Sequence, residues 1–340
     1  MEREQNWSTT HCSVKLVRHQ VRETISIDIV PVEQRDPRVT TSFVDANDLR
    51  FEVDQCGDDR STKLALCLHG FPEHSYSWRF QLPMLADMGY VAWAPNLRGY
   101  GNSSRPTGMG AYAIENLMED VASLIDASGK DEVTLIAHDW GAVIAWLFAI
   151  RQIRPLNKLV VCNVPHPATL SSELSWAQIK RSWYGFFFQL PVLPERYMSR
   201  NDGIGLRYMM RAGAIDRSNF SKEVGQVYYR NAMRPGVLTA MINYYRAYYL
   251  GGGLRRQRKL GFKTIETPTL MLWGEADTAL SKESTYGTES WVQDYRVRYL
   301  PYVSHWVQQE QPDAVNAMIA AFLLDKPIPQ FVWDWQLHKV

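Results

Sequence analysis

The chain has almost no charge bias, no apolar run long enough to cross a bilayer, and only four cysteines in 340 residues. Each shortage removes a class of function. With 37 basic against 36 acidic residues, a net +1, the composition points neither to nucleic acid nor to an anionic membrane surface as a partner. Without a long apolar segment, no membrane span is expected. Cys12, Cys56, Cys67 and Cys162 are scattered, with no Cys-x-x-Cys and no Cys/His ligand spacing. A zinc site is therefore not expected, and a reducing, cytoplasmic setting is. Cys67 and Cys162 lie inside apolar runs and read as small core residues. The opening "MEREQNWSTTHCSVKL" lacks the apolar stretch of a secretory signal. The densest basic run, "RRQRK" at residues 255–259, reads as a solvated loop rather than a polyanion site.

What is there is an alternation of short apolar runs and helical patterns. "RVTTSFVDANDLRFEVDQ" predicts two strands joined by an Asn-Asp turn. "KLALCLHG" and "YVAWAPN" read as strands, and "SYSWRFQLPMLADMG" between them as a helix with a glycine stop. Ile114, Leu117, Met118, Val121, Leu124 and Ile125 have helix spacing. "VTLIAH", "LNKLVVCNV", "TPTLMLWG" and "YRVRYLP" predict further strands, and "DAVNAMIAAFLLD" a final helix. This is an α/β chain with a mostly parallel sheet covered on both faces. Residues 166–259 break the rhythm: they are rich in aromatics and arginine, with helix-like spacing and no clear strand. They predict a helical lid, or cap domain, inserted into a core of residues 37–165 and 260–340. The lid would lie over the C-terminal strand edge, where open α/β sheets bind ligands. Residues 1–36 form an N-terminal extension that the pattern leaves unplaced.

The chemistry gathers at "AHDWGA", residues 137–142. A strand, a sharp turn between small residues and a helix match the nucleophile elbow, with Asp139 standing where serine is usual. Asp139 alone could simply cap the helix. What favours catalysis is the order of the groups that follow. A carboxylate that attacks carbon leaves an ester, which needs an activated water to open it. Asp277, after "TLMLWGEA", and His305, after "VRYLPYVS", supply an orienting acid and a general base in nucleophile–acid–histidine order. The ester carbonyl needs an anion hole, expected from the backbone N–H groups of Trp140 and of Phe71 in "HGFP".

"HGFPEHSYSWRFQLPMLADMGYVAWAPNLRGYGNSSRP" followed by "AHDWGA" resembles the epoxide hydrolases of the α/β-hydrolase fold, from about residue 40 to residue 325. The resemblance implies that fold and a cofactor-independent hydrolysis of an epoxide to a vicinal diol, with a small apolar epoxide and water as partners. It also implies two lid tyrosines that hydrogen-bond the epoxide oxygen. "SWYGFFFQLP" points to Tyr184 and "NYYRAYY" to Tyr245, with Tyr244 as the alternative beside it. One position departs from the family: "PNLRGYG" carries Asn96 where aspartate is common, which removes a charge near Arg98.

The lid's Trp, Phe, Tyr and Met suggest an apolar pocket, with Trp140, Phe71, Phe187 and Trp306 as its lining. A haloalkane dehalogenase, which shares the aspartate nucleophile, is the nearest alternative. Such enzymes often place a halide-binding Asn at the Phe71 position, and many take their acid from the strand end where this chain has Asn163. A non-catalytic binder is disfavoured by the full set of reactive groups, and a serine esterase by the absence of serine at the elbow. No metal is called for, and monomer or homodimer stays open.

Overall fold

The computed structural model describes residues 35–172 and 183–333. Eight strands form one sheet in the order β1-β2-β4-β3-β5-β6-β7-β8. β1 (Thr40–Ala46) and β2 (Leu49–Cys56) make a hairpin whose two-residue turn is Asn47-Asp48, at φ 50° and 55°. Both residues must adopt positive φ in such a turn, a conformation that Asn and Asp tolerate better than most. β2 runs antiparallel to β4 (Val91–Pro95). β3 (Lys63–Leu68), β5 (Glu132–His138), β6 (Lys158–Cys162), β7 (Thr269–Gly274) and β8 (Tyr295–Leu300) continue the sheet in parallel.

The near-continuous apolar strands are explained by burial on both faces. Leu64, Leu66, Leu135, Leu159, Val161 and Met271 point to one side, which α2 (Ile114–Ser128) and α3 (Trp140–Arg151) cover. Ala65, Cys67, Ile136, Val160, Cys162 and Leu270 point to the other, against α1 (Gln81–Asp87) and the C-terminal α10 (Pro312–Leu323). The thiols of Cys67 and Cys162 are fully buried there, and burial pushes both well above the usual thiol range.

Between β6 and β7 the chain forms α4 (Pro167–Ser172), α5 (Trp183–Phe187), α6 (Leu193–Gly213), α7 (Lys222–Ala232), α8 (Val237–Tyr249) and α9 (Gly253–Leu260). No strand occurs in this stretch among the described residues. Two local expectations change. The basic run 255–259 is helical, on α9, rather than a loop. The expected helix over "SYSWRFQLPMLADMG" divides into a 3-10 turn at Ser75–Trp78 and α1. Pro83 accounts for the break, since a proline is tolerated in the first turn of a helix but not in its interior. Among the described residues, no helix is long and apolar enough to cross a membrane. Most of the N-terminal extension lies outside the described residues.

Candidate active site

The ends of β5 and β7 and the loop after β8 meet at the C-terminal edge of the sheet, each carrying one polar group. Asp139 follows β5 and precedes α3, with φ 48° and ψ −121°. Such a backbone costs roughly 1–3 kcal/mol and persists only where the surroundings hold it. Two glycines show how tightly they do. A Cβ at Gly141 would lie 2.3 Å from the Leu68 carbonyl oxygen, and one at Gly70 would lie 2.3 Å from Asp139 Oδ1. Larger residues at either position would push the elbow apart.

The Asp139 carboxylate has two distinct oxygens. Oδ1 accepts a hydrogen bond from Phe71 N–H at 2.6 Å. Oδ2 stands 3.6 Å from His305 Nε2, too long for a direct hydrogen bond but within strong electrostatic reach. Trp140 begins α3, so its N–H is among the amides left unpaired at a helix N-terminus. Burial pushes the Asp139 carboxyl up, but His305, His138 and the Phe71 amide outweigh it and hold the group below the usual carboxylate range.

His305 Nδ1 meets Asp277 Oδ2 at 2.7 Å, and both side chains are buried. Asp277 is in turn held by Asn163 Nδ2 at 2.7 Å and by the backbone N–H groups of Ala279 and Leu280 at 2.7 and 3.0 Å. Burial raises its carboxyl; His305, Asn163 and the Leu280 amide bring it below the ordinary range. Asn163 stands at the end of β6 with φ 51°, and its Oδ1 accepts Gly274 N–H at 3.1 Å. The residue that stands where many dehalogenases have their acid thus orients the acid at the end of β7. Burial alone would lower His305; Asp277 and Asp139 more than reverse this and raise it to about 10.

Above this triad the two tyrosines face one another. Tyr184 on α5 and Tyr245 on α8 have ring centroids 6.0 Å apart at 85°. Tyr245 meets Trp140 edge-on at 5.0 Å and Phe71 at 5.4 Å. Burial, and then the Asp139 charge, pushes both phenols well above their usual range, so each keeps its proton to donate. Tyr244 is committed elsewhere: its hydroxyl donates to the Arg98 carbonyl at 2.8 Å. Among the expected lining residues, Phe71 and Trp140 pack beside Tyr245. Phe187 turns instead to Trp183 and Tyr197, at 5.9 and 5.8 Å. Its neighbour Phe188 is the ring that meets Phe71 and Tyr245, at 5.2 and 4.9 Å. Adjacent helical residues point about 100° apart, which spacing alone could not assign. Trp306 packs edge-on against His305 at 5.0 Å.

One buried network escaped the sequence reading. Glu73, in the turn after "HGFP", contacts His138 Nδ1 at 2.7 Å, and His138 Nε2 meets the His305 carbonyl at 2.8 Å. Glu73 also accepts from Gly70 N–H at 3.2 Å and from the side chains of Gln308 and Gln309 at 3.1 and 2.6 Å. A carbonyl only accepts, so His138 Nε2 carries a proton and the Glu73–His138 contact shares another. The network ties the loop carrying Phe71 to the backbone of His305. Its signal was present in the "HGFPE" and "AHDWG" motifs, but the two residues are 65 apart in sequence.

Asn96 proves compatible with Arg98. Arg98 pairs with the buried Asp120 at 2.5 and 2.7 Å. Asn96 donates from Nδ2 to Glu52 at 2.6 Å and accepts the Ser75 amide at 2.8 Å. Among the described residues, no cluster of three or more His, Cys, Asp or Glu is arranged to hold a metal.

A mostly parallel eight-stranded sheet with a carboxylate at the strand-to-helix elbow defines a hydrolase of the α/β type. Residues 65–312 match the model of the alpha/beta hydrolase fold family. Epoxide hydrolase 1 of Caenorhabditis elegans is 35% identical over 287 residues, covering 83% of this chain and 69% of that protein. Epoxide hydrolase 4 of Mus musculus is 37% identical over 285 residues, 82% of this chain and 77% of the relative. An inhibitor-bound epoxide hydrolase from Bacillus megaterium superposes with a TM-score of 0.76 at 31% identity, over 83% of this chain and 100% of that one. The chain therefore belongs to the epoxide hydrolases of the alpha/beta hydrolase fold family.

Proposed function

We propose that the protein converts an apolar epoxide to a vicinal diol through a covalent ester on Asp139. The observation that carries this reading is a half-buried carboxylate at the elbow, held below the usual carboxylate range and 3.6 Å from His305, beneath two tyrosines held well above the usual phenol range. Asp139 Oδ2, the oxygen not engaged by Phe71, attacks a ring carbon as the C–O bond breaks. Tyr184 and Tyr245 hydrogen-bond the departing oxygen and one of them gives it a proton. Assistance of this kind is worth about 10²–10⁴-fold. Oδ1 becomes the ester carbonyl oxygen.

Esterification has an electrostatic consequence that starts the second half-reaction. It neutralises Asp139, one of the two charges that raise His305, so the imidazolium gives up its proton, which restores the tyrosine that protonated the ring oxygen. The neutral imidazole, aligned by Asp277 and Asn163, takes a proton from water as it adds to the ester carbon. The backbone N–H groups of Phe71 and Trp140 receive the oxyanion. The adduct collapses, the diol oxygen leaves and takes the proton of the new Asp139 carboxyl, and the carboxylate and the His305 imidazolium of the resting protein are restored.

A helical cap over residues 166–259, on a core of 37–165 and 260–340, belongs to the same proposal. It is supported by helices α4–α9 lying between β6 and β7. So does a cytoplasmic location, supported by the buried free thiols of Cys56, Cys67 and Cys162. The test is a competition in which the enzyme meets styrene oxide and a short bromoalkane together. Diol without bromide is expected; bromide without diol would reduce Tyr184 and Tyr245 to packing residues.

A further inference from the structure

The net charge of +1 conceals an uneven surface. Large exposed apolar side chains gather on one part of the helical segment: Trp183 and Phe186 on α5, Leu190 and Val192 in the turn after it, Leu193 on α6, and Leu250 just past α8. Phe186 and Leu250 are 67% and 65% exposed. The segments that carry them are tied together from beneath. Arg246 of α8 donates to the carbonyls of Phe188 and Leu190 at 2.9 and 2.6 Å and pairs with Glu195 of α6 at 2.7 Å. The Tyr249 ring lies 3.8 Å from where a Cβ on Gly185 would stand. One arginine thus ties α8 and α6 to the turn that follows α5.

Cations border it. Arg196 and Arg200 are exposed on α6, with Arg200 on the same face as Leu193 and Tyr197. Arg255, Arg258 and Lys259, spaced for one face of α9, are exposed a few residues after Leu250. Arg258 lies near enough for its charge to act on Tyr248 and Tyr249. Two acids of these helices' surroundings are already engaged, Glu195 with Arg246 and Glu115 with Arg256. Among the described residues, no ion pair involves any of the five bordering cations.

An apolar crest of this kind marks an interaction site, and the charge of its border selects the occupant. A second copy meeting the same face across a two-fold axis would bring cations against cations. An anionic lipid surface offers phosphates to the border and an acyl boundary to the crest, the pairing that interfacial helices use. We propose that this face docks the protein peripherally on an anionic lipid surface. Tyr184 is carried by the same short helix as Trp183 and Phe186, so docking sets a helix of the candidate site beside a phase in which apolar epoxides dissolve. The lipid binding itself does not rest on the epoxide chemistry.

The test is co-sedimentation of the full chain with phosphatidylcholine vesicles, with and without phosphatidylglycerol. Binding to the anionic vesicles is expected, falling as salt rises. Phe186→Ser/Leu193→Ser should lower the partition at least tenfold. Arg255→Gln/Arg258→Gln/Lys259→Gln, confined to an exposed helix face, should lower it by about fivefold per charge. In both variants kcat/KM for a water-soluble epoxide without vesicles should stay within about twofold of wild type. Wild-type protein that stays in the supernatant at low salt, or sediments equally with neutral vesicles, overturns the proposal. So does a concentration-dependent dimer that Phe186→Ser/Leu193→Ser dissociates, which would make the face a subunit interface.

Discussion

Replacing Asp139 by asparagine should change His305 more than any other residue. The variant keeps the shape of the elbow and removes its charge, as esterification would. In the resting protein the two groups are 3.6 Å apart, and His305 is raised to about 10 by Asp277 and Asp139 against the opposing effect of burial. At an effective dielectric of about 20, two unit charges at that distance attract by about 4–5 kcal/mol, equivalent to about three pH units. The His305 midpoint should therefore fall from about 10 to about 7 in Asp139→Asn. It can be followed by NMR of the imidazole carbon-bound protons, with His305→Gln to assign the resonance. A base that titrates near 7 can accept a proton from water at neutral pH; one held near 10 cannot. A midpoint in Asp139→Asn still within half a pH unit of 10 would refute the reasoning. Asp277 alone would then hold the proton, and ester formation could not release it.

Tyr245→Phe should lower kcat/KM for an epoxide by about 10²-fold, the cost of one donor at a developing oxyanion. Tyr244→Phe should leave it within about threefold while costing about 1 kcal/mol of stability through the lost bond to the Arg98 carbonyl. Asn96→Asp would set a carboxylate in place of a donor 2.6 Å from Glu52, and should cost about 2 kcal/mol in urea unfolding at pH 7, less at pH 4. His305 is raised in the folded protein, so its stabilising effect is complete below about pH 6.5 and is lost as pH rises through about 10. Unfolding free energy should fall more steeply between pH 7 and pH 10 in the wild type than in His305→Gln.

The parts of the site visible in the sequence were those that local geometry and chain order constrain. Asp139 announced itself because a sharp strand-to-helix turn needs small neighbours, and both Ala137 and Gly141 lie within two residues of it. Asp277 and His305 could be named because each follows a strand, at the sheet edge where such folds place chemistry. Helix phase was harder to read. Tyr244 and Tyr245 differ by one step on α8, and only the hydrogen bond of Tyr244 to Arg98 separates the structural residue from the one over Trp140. The same ambiguity lies between Phe187 and Phe188, of which it is the Phe188 ring that meets Phe71 and Tyr245. Glu73 and His138 were hidden because parallel pairing of β3 with β5 brings distant segments together, and no local pattern records that. The orienting role of Asn163 was hidden likewise: it depends on β6 lying beside β7. The apolar crest and its cations were invisible to a composition that averages to +1, since their proximity depends on how three helices pack.

The most direct test of the covalent route is to trap it. His305→Gln should still form the ester but lack the base that opens it. Incubated with styrene oxide, digested and analysed by mass spectrometry, it should carry one epoxide mass on the peptide containing Asp139, with little diol released. Unmodified peptide alongside diol release at the wild-type rate would contradict the account, because water would then be attacking the epoxide without passing through Asp139.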